Sequence, residues 1–361
     1  KQAWCYFNLN DFKQALDLFK AVIFYGDFAT TAQKDNKTAL VKEARKDYVL
    51  TYSHFGDPLG AEEDFKKVGG ADNWMGMLKG LAGLYYEDGK DKEAVLTYRR
   101  LIQLQPLSPE APLFQSRIVD AVMRVGKKQI TLEQVRTLVR IVEEVEKAKV
   151  VKTDADKKAL NDAKELSERT ISNLAVTWHQ EARKTRDEQT FAFANEVYSD
   201  YLAIFPDSKK SYDLRFFWAE LLNDNLNKYE KSSEQYSIVV GMDAKIVEKG
   251  EKPGKWLPNA SLNAVLAYDE VVKKFTEPLP AADPNKKAPI PEIKKKLLKA
   301  CDDYIKFVPK GDKVVDITYK AAKIYYDYNY LDDAAKRFDD ICENHPEHKT
   351  AEFSCNLVLD T

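Results

Sequence analysis

A chain of 361 residues with 56 Lys+Arg against 58 Asp+Glu carries a formal charge of -2. It has no global basic field to draw it to phosphate backbones, so nucleic acid is excluded as a leading partner class. Hydrophobic residues at 44% and charged ones at 32% describe a folded protein with a heavily charged surface, and no apolar run approaches the roughly 18 to 20 residues that cross a bilayer.

The chain opens at Lys1 directly in a helical pattern, Ala3-Trp4-Cys5-Tyr6-Phe7, and is expected to be a fragment or processed form. Ala3, Tyr6, Ala15 and Phe19 begin a spacing that Tyr52, Ala61, Phe65 and Val68 continue. It is complete in Leu78, Ala82, Tyr85, a Gly89 turn, Ala94, Tyr98, Leu101 and Pro106. Ser108-Pro109-Glu110 then predicts an N-cap followed by a helix with Pro at its first position. Its apolar stripe is Ile118, Val119, Val122 and Val125. Thr131 and Gln134 resemble a capping box opening a second helix along Val135, Leu138, Val139, Val142 and Val145.

Asp156 to Lys184 reads as one long helix, about twice the ordinary repeat-helix length. It marks a junction near 150–158 and predicts two subarrays, 1–150 and 151–361. Trp178, Ala182, Ala194, Tyr198, Tyr201 and Pro206 form a further copy across a polar turn, Lys184 to Glu188. Phe216, Ala219, Leu222, Ser232, Tyr236 and Val239 follow, with a long turn at Asn223 to Tyr229.

Two loop insertions interrupt the second half. Lys249 to Pro258 is a polar loop whose Trp256 is expected to pack back onto the array. The stretch 276–291 contains Pro278, Pro280, Pro284, Pro289 and Pro291, which predicts a stiff extended linker between helices 260–275 and 292–308 that otherwise form one repeat. The last full copy holds Ala322, Tyr325, Asn329-Tyr330, Ala334, Phe338, Ile341 and Pro346, and the chain closes inside a helix at 350–357, so truncation is expected there too.

A small residue, an aromatic, a turn, a small residue, an aromatic, an aliphatic and a proline thus recur at fixed intervals. Physically this is a pair of antiparallel helices that cannot bury its apolar face alone and stacks on its neighbours. The small residues let backbones approach, the aromatics fill the gaps, and the proline ends the second helix. In this order the residues resemble the tetratricopeptide repeat family. The resemblance implies an all-α, right-handed superhelical solenoid of antiparallel helix pairs with degenerate repeats, acting as a non-enzymatic scaffold for other proteins or peptides.

The sequence offers little chemistry. Its 14 glycines read as single turn residues such as Gly56, Gly89 and Gly126, with no phosphate loop. No nucleophile elbow, zinc-protease helix or plausible Cys–His pair is found, and His345-Pro346-Glu347-His348 falls in an inter-repeat turn rather than at a metal. The expectation is no enzyme, no cofactor and no metal site. Cys5, Cys301, Cys342 and Cys355 are expected as buried helical residues, with a Cys342–Cys355 or Cys301–Cys342 bridge as the alternative for an exported protein.

Because first helices line the concave groove of tetratricopeptide proteins, the resemblance assigns partner binding to Lys79, Gly83 and Tyr86, to His179, Arg183 and Arg186, to Phe217, and to Tyr319, Lys323 and Tyr326. The alternatives are a peptide-capturing adaptor, or a helical support for an enzyme whose catalytic part lies outside this sequence. Residues 300–348 and 356–360 are similar in texture to large tetratricopeptide proteins of the periplasm and outer membrane of gliding or predatory δ-proteobacteria. That likeness implies an envelope location and a place in gliding motility machinery.

Overall fold

The computed structural model describes residues 1–28, 34–149, 151–275 and 286–360. The described residues form sixteen α-helices and one π-helical turn, with no strand. In order they are α1 (Gln2–Asn8), α2 (Phe12–Phe28), α3 (Lys34–Phe55), α4 (Ala61–Glu87), α5 (Asp91–Leu104), α6 (Ala111–Val125), α7 (Lys128–Lys147) and α8 (Asp154–Thr185). There follow α9 (Glu188–Ile204), α10 (Lys209–Glu220), the π turn Leu221–Asn225, α11 (Tyr229–Glu248), α12 (Leu257–Lys273), α13 (Glu292–Phe307), α14 (Val314–Asp327), α15 (Leu331–Asn344) and α16 (Ala351–Asp360). This is the all-α tetratricopeptide-like solenoid class expected from the spacing. Two compact units are present, Lys1–Leu174 and Ala175–Thr361. Their division falls inside α8 rather than at the expected 150/151, because the long helix contributes turns to both.

The helix-to-helix turn is the repeated device. Asn10, Gly89, Asn227 and Asn329 adopt positive φ of 61°, 70°, 52° and 60°, the left-handed conformation that Gly and Asn reach at least cost. The residue after each donates its N–H to a carbonyl one turn back: Asp11 to Tyr6, Lys90 to Tyr85, Lys228 to Leu222 and Tyr330 to Tyr325, at 2.8–2.9 Å. Five residues beyond each left-handed residue stands a fully buried small side chain, Ala15, Ala94, Ser232 or Ala334. Gly126 (φ 84°) repeats the arrangement ahead of buried Thr131, so the α6–α7 pair obeys the same rule.

In the α10–α11 pair the small residues Ala219 and Ser232 are one position further apart than Ala82 and Ala94. The π turn absorbs the extra residue, closing Leu226 N–H on Leu221 C=O at 3.2 Å. Register is thereby restored, and Ser232 Oγ donates to Ala219 C=O at 2.9 Å across the crossing. Second helices end by a common rule as well. α5, α9, α13 and α15 stop two residues before Pro106, Pro206, Pro309 and Pro346, and the residue between takes a φ of -118° to -139°.

Two helix starts differ from expectation. Pro109 lies in the turn before α6, and Pro112 occupies the first turn of the helix, which begins after Glu110. α7 begins three residues before Thr131. Thr131 Oγ1 therefore donates back to Lys127 C=O at 3.2 Å, and Gln134 accepts from Gln115 instead of capping.

The cysteines meet the buried expectation only in Cys301, and the Cys342–Cys355 bridge is the alternative that the sequence left open. Cys5 is exposed and Cys301 is buried, its thiol pushed up to about 12 by burial. Cys342 of α15 and Cys355 of α16 form a disulfide with Cα atoms 5.2 Å apart.

Both insertions are strapped to the array. Asp243, fully buried, accepts from Tyr212 Oη at 2.8 Å and from Gly254 N–H at 2.6 Å. Trp256 then stacks on Phe216 at 4.1 Å, and its Nε1–H donates to Asp213 at 2.7 Å, so it does pack back as expected. Of the proline-rich stretch, Pro278, Pro280 and Pro284 lie outside the described residues. The remainder is extended but anchored: Ala288 N–H donates to Tyr328 C=O at 3.0 Å, and Asn329 Nδ2 to Lys286 C=O at 3.1 Å. A Cβ on Gly254 would sit 2.4 Å from Tyr212 Oη and 2.9 Å from Asp243 Oδ1. Gly254→Ala is therefore expected to cost about 2 kcal/mol, the scale of overpacking plus a weakened buried polar contact, measured by urea unfolding. An unchanged midpoint would contradict the strap.

Candidate partner-binding face

α4 breaks at Gly70, where φ is 64° and ψ is -173°. Residues 71–87 thus form a separate first helix, paired with α5. Lys79 and Tyr86 stand on this arm and meet α6. Lys79 forms an ion pair with Glu110 and lies 5.8 Å from the Phe114 ring centroid. Tyr86 Oη donates to Asp120 at 3.1 Å, and the guanidinium groups of Arg117 and Arg124 lie 4.3 and 4.8 Å from its ring centroid. Arg124 is also paired with Asp91. Burial raises the Asp120 carboxyl above its ordinary range, although Tyr86, Arg117, Arg124 and Arg169 all act in the opposite direction. Arg117 and Arg124 escaped the sequence reading because α6 lacks the repeat signature, even though their spacing of seven puts both on one helix face.

The opposite edge of the same arm faces α3 and holds an open groove of about 560 Å3. Leu50, Met77 and Leu84 give it an apolar floor, and Lys46, Gly76 and Gly80 line its opening. A Cβ at Gly76 or Gly83 would meet no atom within 4 Å, and one at Gly80 would make ordinary contact with Val49. Gly83 was expected on a first helix, whereas Gly76 and Gly80 were expected in turns. All three stand inside a helix, each at a propensity cost of roughly 1 kcal/mol relative to Ala, and they keep the helix surface bare.

The second unit treats its predicted residues differently. His179 is buried at 6% exposure and hydrogen-bonds Tyr198 Oη through Nδ1 at 3.2 Å, so its assignment to an open groove is corrected. The turn between α8 and α9 falls at Arg186 (φ 56°), and the His179 ring lies 6.4 Å from that of Phe191, while Ala182 and Ala194 are both fully buried, as their spacing predicts. Arg183 stays exposed on α8, and Arg186 is exposed in the turn.

Phe217 is half-buried and meets Trp256 edge-on at 5.6 Å. Tyr319 and Tyr326 pack edge-on to Phe338 at 5.7 and 6.3 Å, in a buried cluster against which Leu357 and Val358 of α16 also pack. Lys323 pairs with Asp327 and lies 5.2 Å from the Tyr326 ring centroid. His348, of the histidine-containing turn, meets Thr350 Oγ1 at 2.8 Å and Asp316 at 3.7 Å.

Paired helices with left-handed Asn or Gly turns, small crossing residues and proline stops make a tetratricopeptide-like helical array. The tetratricopeptide repeat family model matches residues 1–23 and 80–108, which hold α1 with most of α2, and the end of α4 with α5. No curated protein matches the chain in sequence. Among solved structures the chain is similar to BtubC (BKLC) from P. vanneervenii, at 13% identity, TM-score 0.28, over 72% of this chain and 88% of that one. It is similar also to a tetratricopeptide repeat protein from Parabacteroides merdae ATCC 43184, at 12% identity, TM-score 0.29, over 88% and 98%. A third is the APC/C hetero-tetramer Cut9-Hcn1, at 10% identity, TM-score 0.28, over 99% and 74%.

Burial, and secondarily the charge of Arg183, lowers the His179 imidazole to about 4. The unfolded chain takes up this proton near pH 6.5 while the folded chain stays neutral, so stability falls as pH drops from 6.5 toward 4. At pH 5 the loss is about 2 kcal/mol by that linkage. Urea unfolding at pH 7 and 5 is expected to show a larger drop for the wild type than for His179→Gln. Equal drops would place the imidazole in water.

Proposed function

We propose that the chain is a non-enzymatic protein–protein interaction scaffold whose first helices receive partner segments. One observation carries the reading: the open groove between α3 and the second arm of α4, with an apolar floor and a charged rim. That combination of buried apolar contact and solvated polar edge is the anatomy of protein recognition surfaces. Bare glycine positions at its mouth let a partner backbone come close. The Tyr86, Arg117 and Arg124 cluster on the neighbouring edge adds aromatic and guanidinium groups, the side chains enriched in interface hot spots. A peptide-capturing adaptor is the second reading, favoured by the groove's modest size, which suits a short segment rather than a whole domain.

The reading includes a place in the cell envelope, in a multiprotein assembly of the motility type. Its supports are the likeness of residues 300–348 and 356–360 to envelope proteins and the Cys342–Cys355 disulfide, a bond that persists in oxidising compartments. No described helix is long and apolar enough to cross a membrane.

Gly76→Trp is the direct test. A Cβ there meets no atom within 4 Å, so stability is expected to hold or rise by up to about 1 kcal/mol as glycine leaves a helix, while the indole beyond it fills the groove. Partner capture from native lysate, quantified by mass spectrometry, is expected to fall at least tenfold for the proteins the wild type retains. Equal capture by wild type and variant, or a turnover activity with no retained protein, would overturn the scaffold reading.

A further inference from the structure

Three helices of the first unit contribute to the surface around Tyr86. Arg117 and Arg124 reach its ring from α6, at 4.3 and 4.8 Å from the centroid. α8 lies alongside α6 through the Ser116–Ser167 hydroxyl contact at 3.0 Å, and it brings the exposed Arg169 within electrostatic reach of Asp120. Asp120 in turn accepts the Tyr86 hydroxyl.

The charges gathered at Asp120 do not balance. Arg117, Arg124 and Arg169 all bear on it, and among the described residues only Arg124 has a carboxylate of its own, Asp91. That makes three cations against two anions. Arg117 and Arg169 act on Asp120 by charge without a hydrogen bond, so their N–H forks are not spent on it. Burial also disfavours the negative form of Asp120. Arg117 is half-buried over the Tyr86 ring, and a guanidinium held in that way keeps a planar fork of donors, the shape that matches a carboxylate.

We propose that Arg117 and Arg169, with Tyr86 behind Arg117, receive an acidic segment of a partner protein, one partner carboxylate bringing the three guanidinium groups into charge balance. The inference rests on the scaffold reading for the existence of a protein partner and names the chemistry of one of its segments. Asp120 is then the internal competitor: its hydrogen bond positions Tyr86, while its charge opposes the incoming carboxylate. Complementary charge of this kind sets partner choice and salt dependence more than total affinity.

The test is fluorescence anisotropy at pH 7.5 with the full chain and a labelled peptide of alternating glutamate and serine, beside its glutamine counterpart. The glutamate peptide is expected to bind at least tenfold tighter, and its affinity to fall as salt is raised. Arg169→Gln is expected to weaken it at least threefold and Arg117→Gln/Arg169→Gln at least tenfold. Arg100→Gln/Lys147→Gln, which removes the same charge from exposed ion pairs elsewhere, is expected to leave it within about twofold. Asp120→Asn keeps an acceptor for Tyr86 and is expected to tighten binding at least threefold, a gain that no folding defect imitates. Equal affinity for the two peptides, equal losses in the site and control variants, or unchanged binding in Asp120→Asn would overturn the proposal, as would tighter binding of a phosphoserine peptide or an oligothymidylate. Peptide binding with these effects, on a chain that retains no protein from native lysate, would keep the anion-binding surface and remove the scaffold. Retained proteins with no glutamate-peptide binding would do the reverse.

Discussion

Everything in this structure depends on how closely two helices of a pair can cross. The crossing is made by small residues with no exposed surface, Ala82 and Ala94 in the clearest pair, Ala322 and Ala334 in the last. With only a methyl group between backbones, the aromatics on either side reach past the crossing: Tyr85 and Tyr98 in one pair, Phe338 in the other, all buried. Each buried aromatic is worth roughly 1.5 to 3 kcal/mol in area removed from water. That gain is collected only if the crossing stays tight, so the smallest side chains control the packing of the largest.

The turn geometry serves this crossing. A left-handed Asn or Gly fixes where the second helix starts, hence which residue meets the first helix five positions later. Where the sequence inserts a residue, the backbone takes up a π turn at Leu221–Asn225 rather than moving Ser232 off Ala219. Local backbone strain was accepted at that site and the crossing preserved, the order of priorities expected when tertiary packing outweighs the ideal α-helical ladder.

Much of this was legible in the residues. Small and aromatic positions twelve and four apart gave the pairs, the proline stops gave the ends of second helices, and Trp256 returned to the array as its apolar ring demands. The burial of His179 was not legible, because its neighbours Tyr198 and Phe191 come from the next helix. The turn at Arg186 was equally hidden, since such a side chain is not expected at positive φ. The groove was hidden for another reason: Gly76 and Gly80 read as turn punctuation, and the Gly70 break shows that the glycines after it lie within a helix. The Cys342–Cys355 bond depended on a Cα separation of 5.2 Å, which no spacing in sequence supplies.

The account's central claim, that stability is governed at the crossings rather than along the exposed helix faces, is tested by two substitutions one residue apart. Urea unfolding of Ala82→Leu and Gly83→Leu compares a position fully buried at the crossing with one where a Cβ meets no atom within 4 Å. The account predicts a loss of about 1 to 3 kcal/mol for Ala82→Leu, the cost of overpacking a tight interior, and no loss, or a small gain, for Gly83→Leu as glycine leaves a helix interior. Equal effects at the two positions would contradict it.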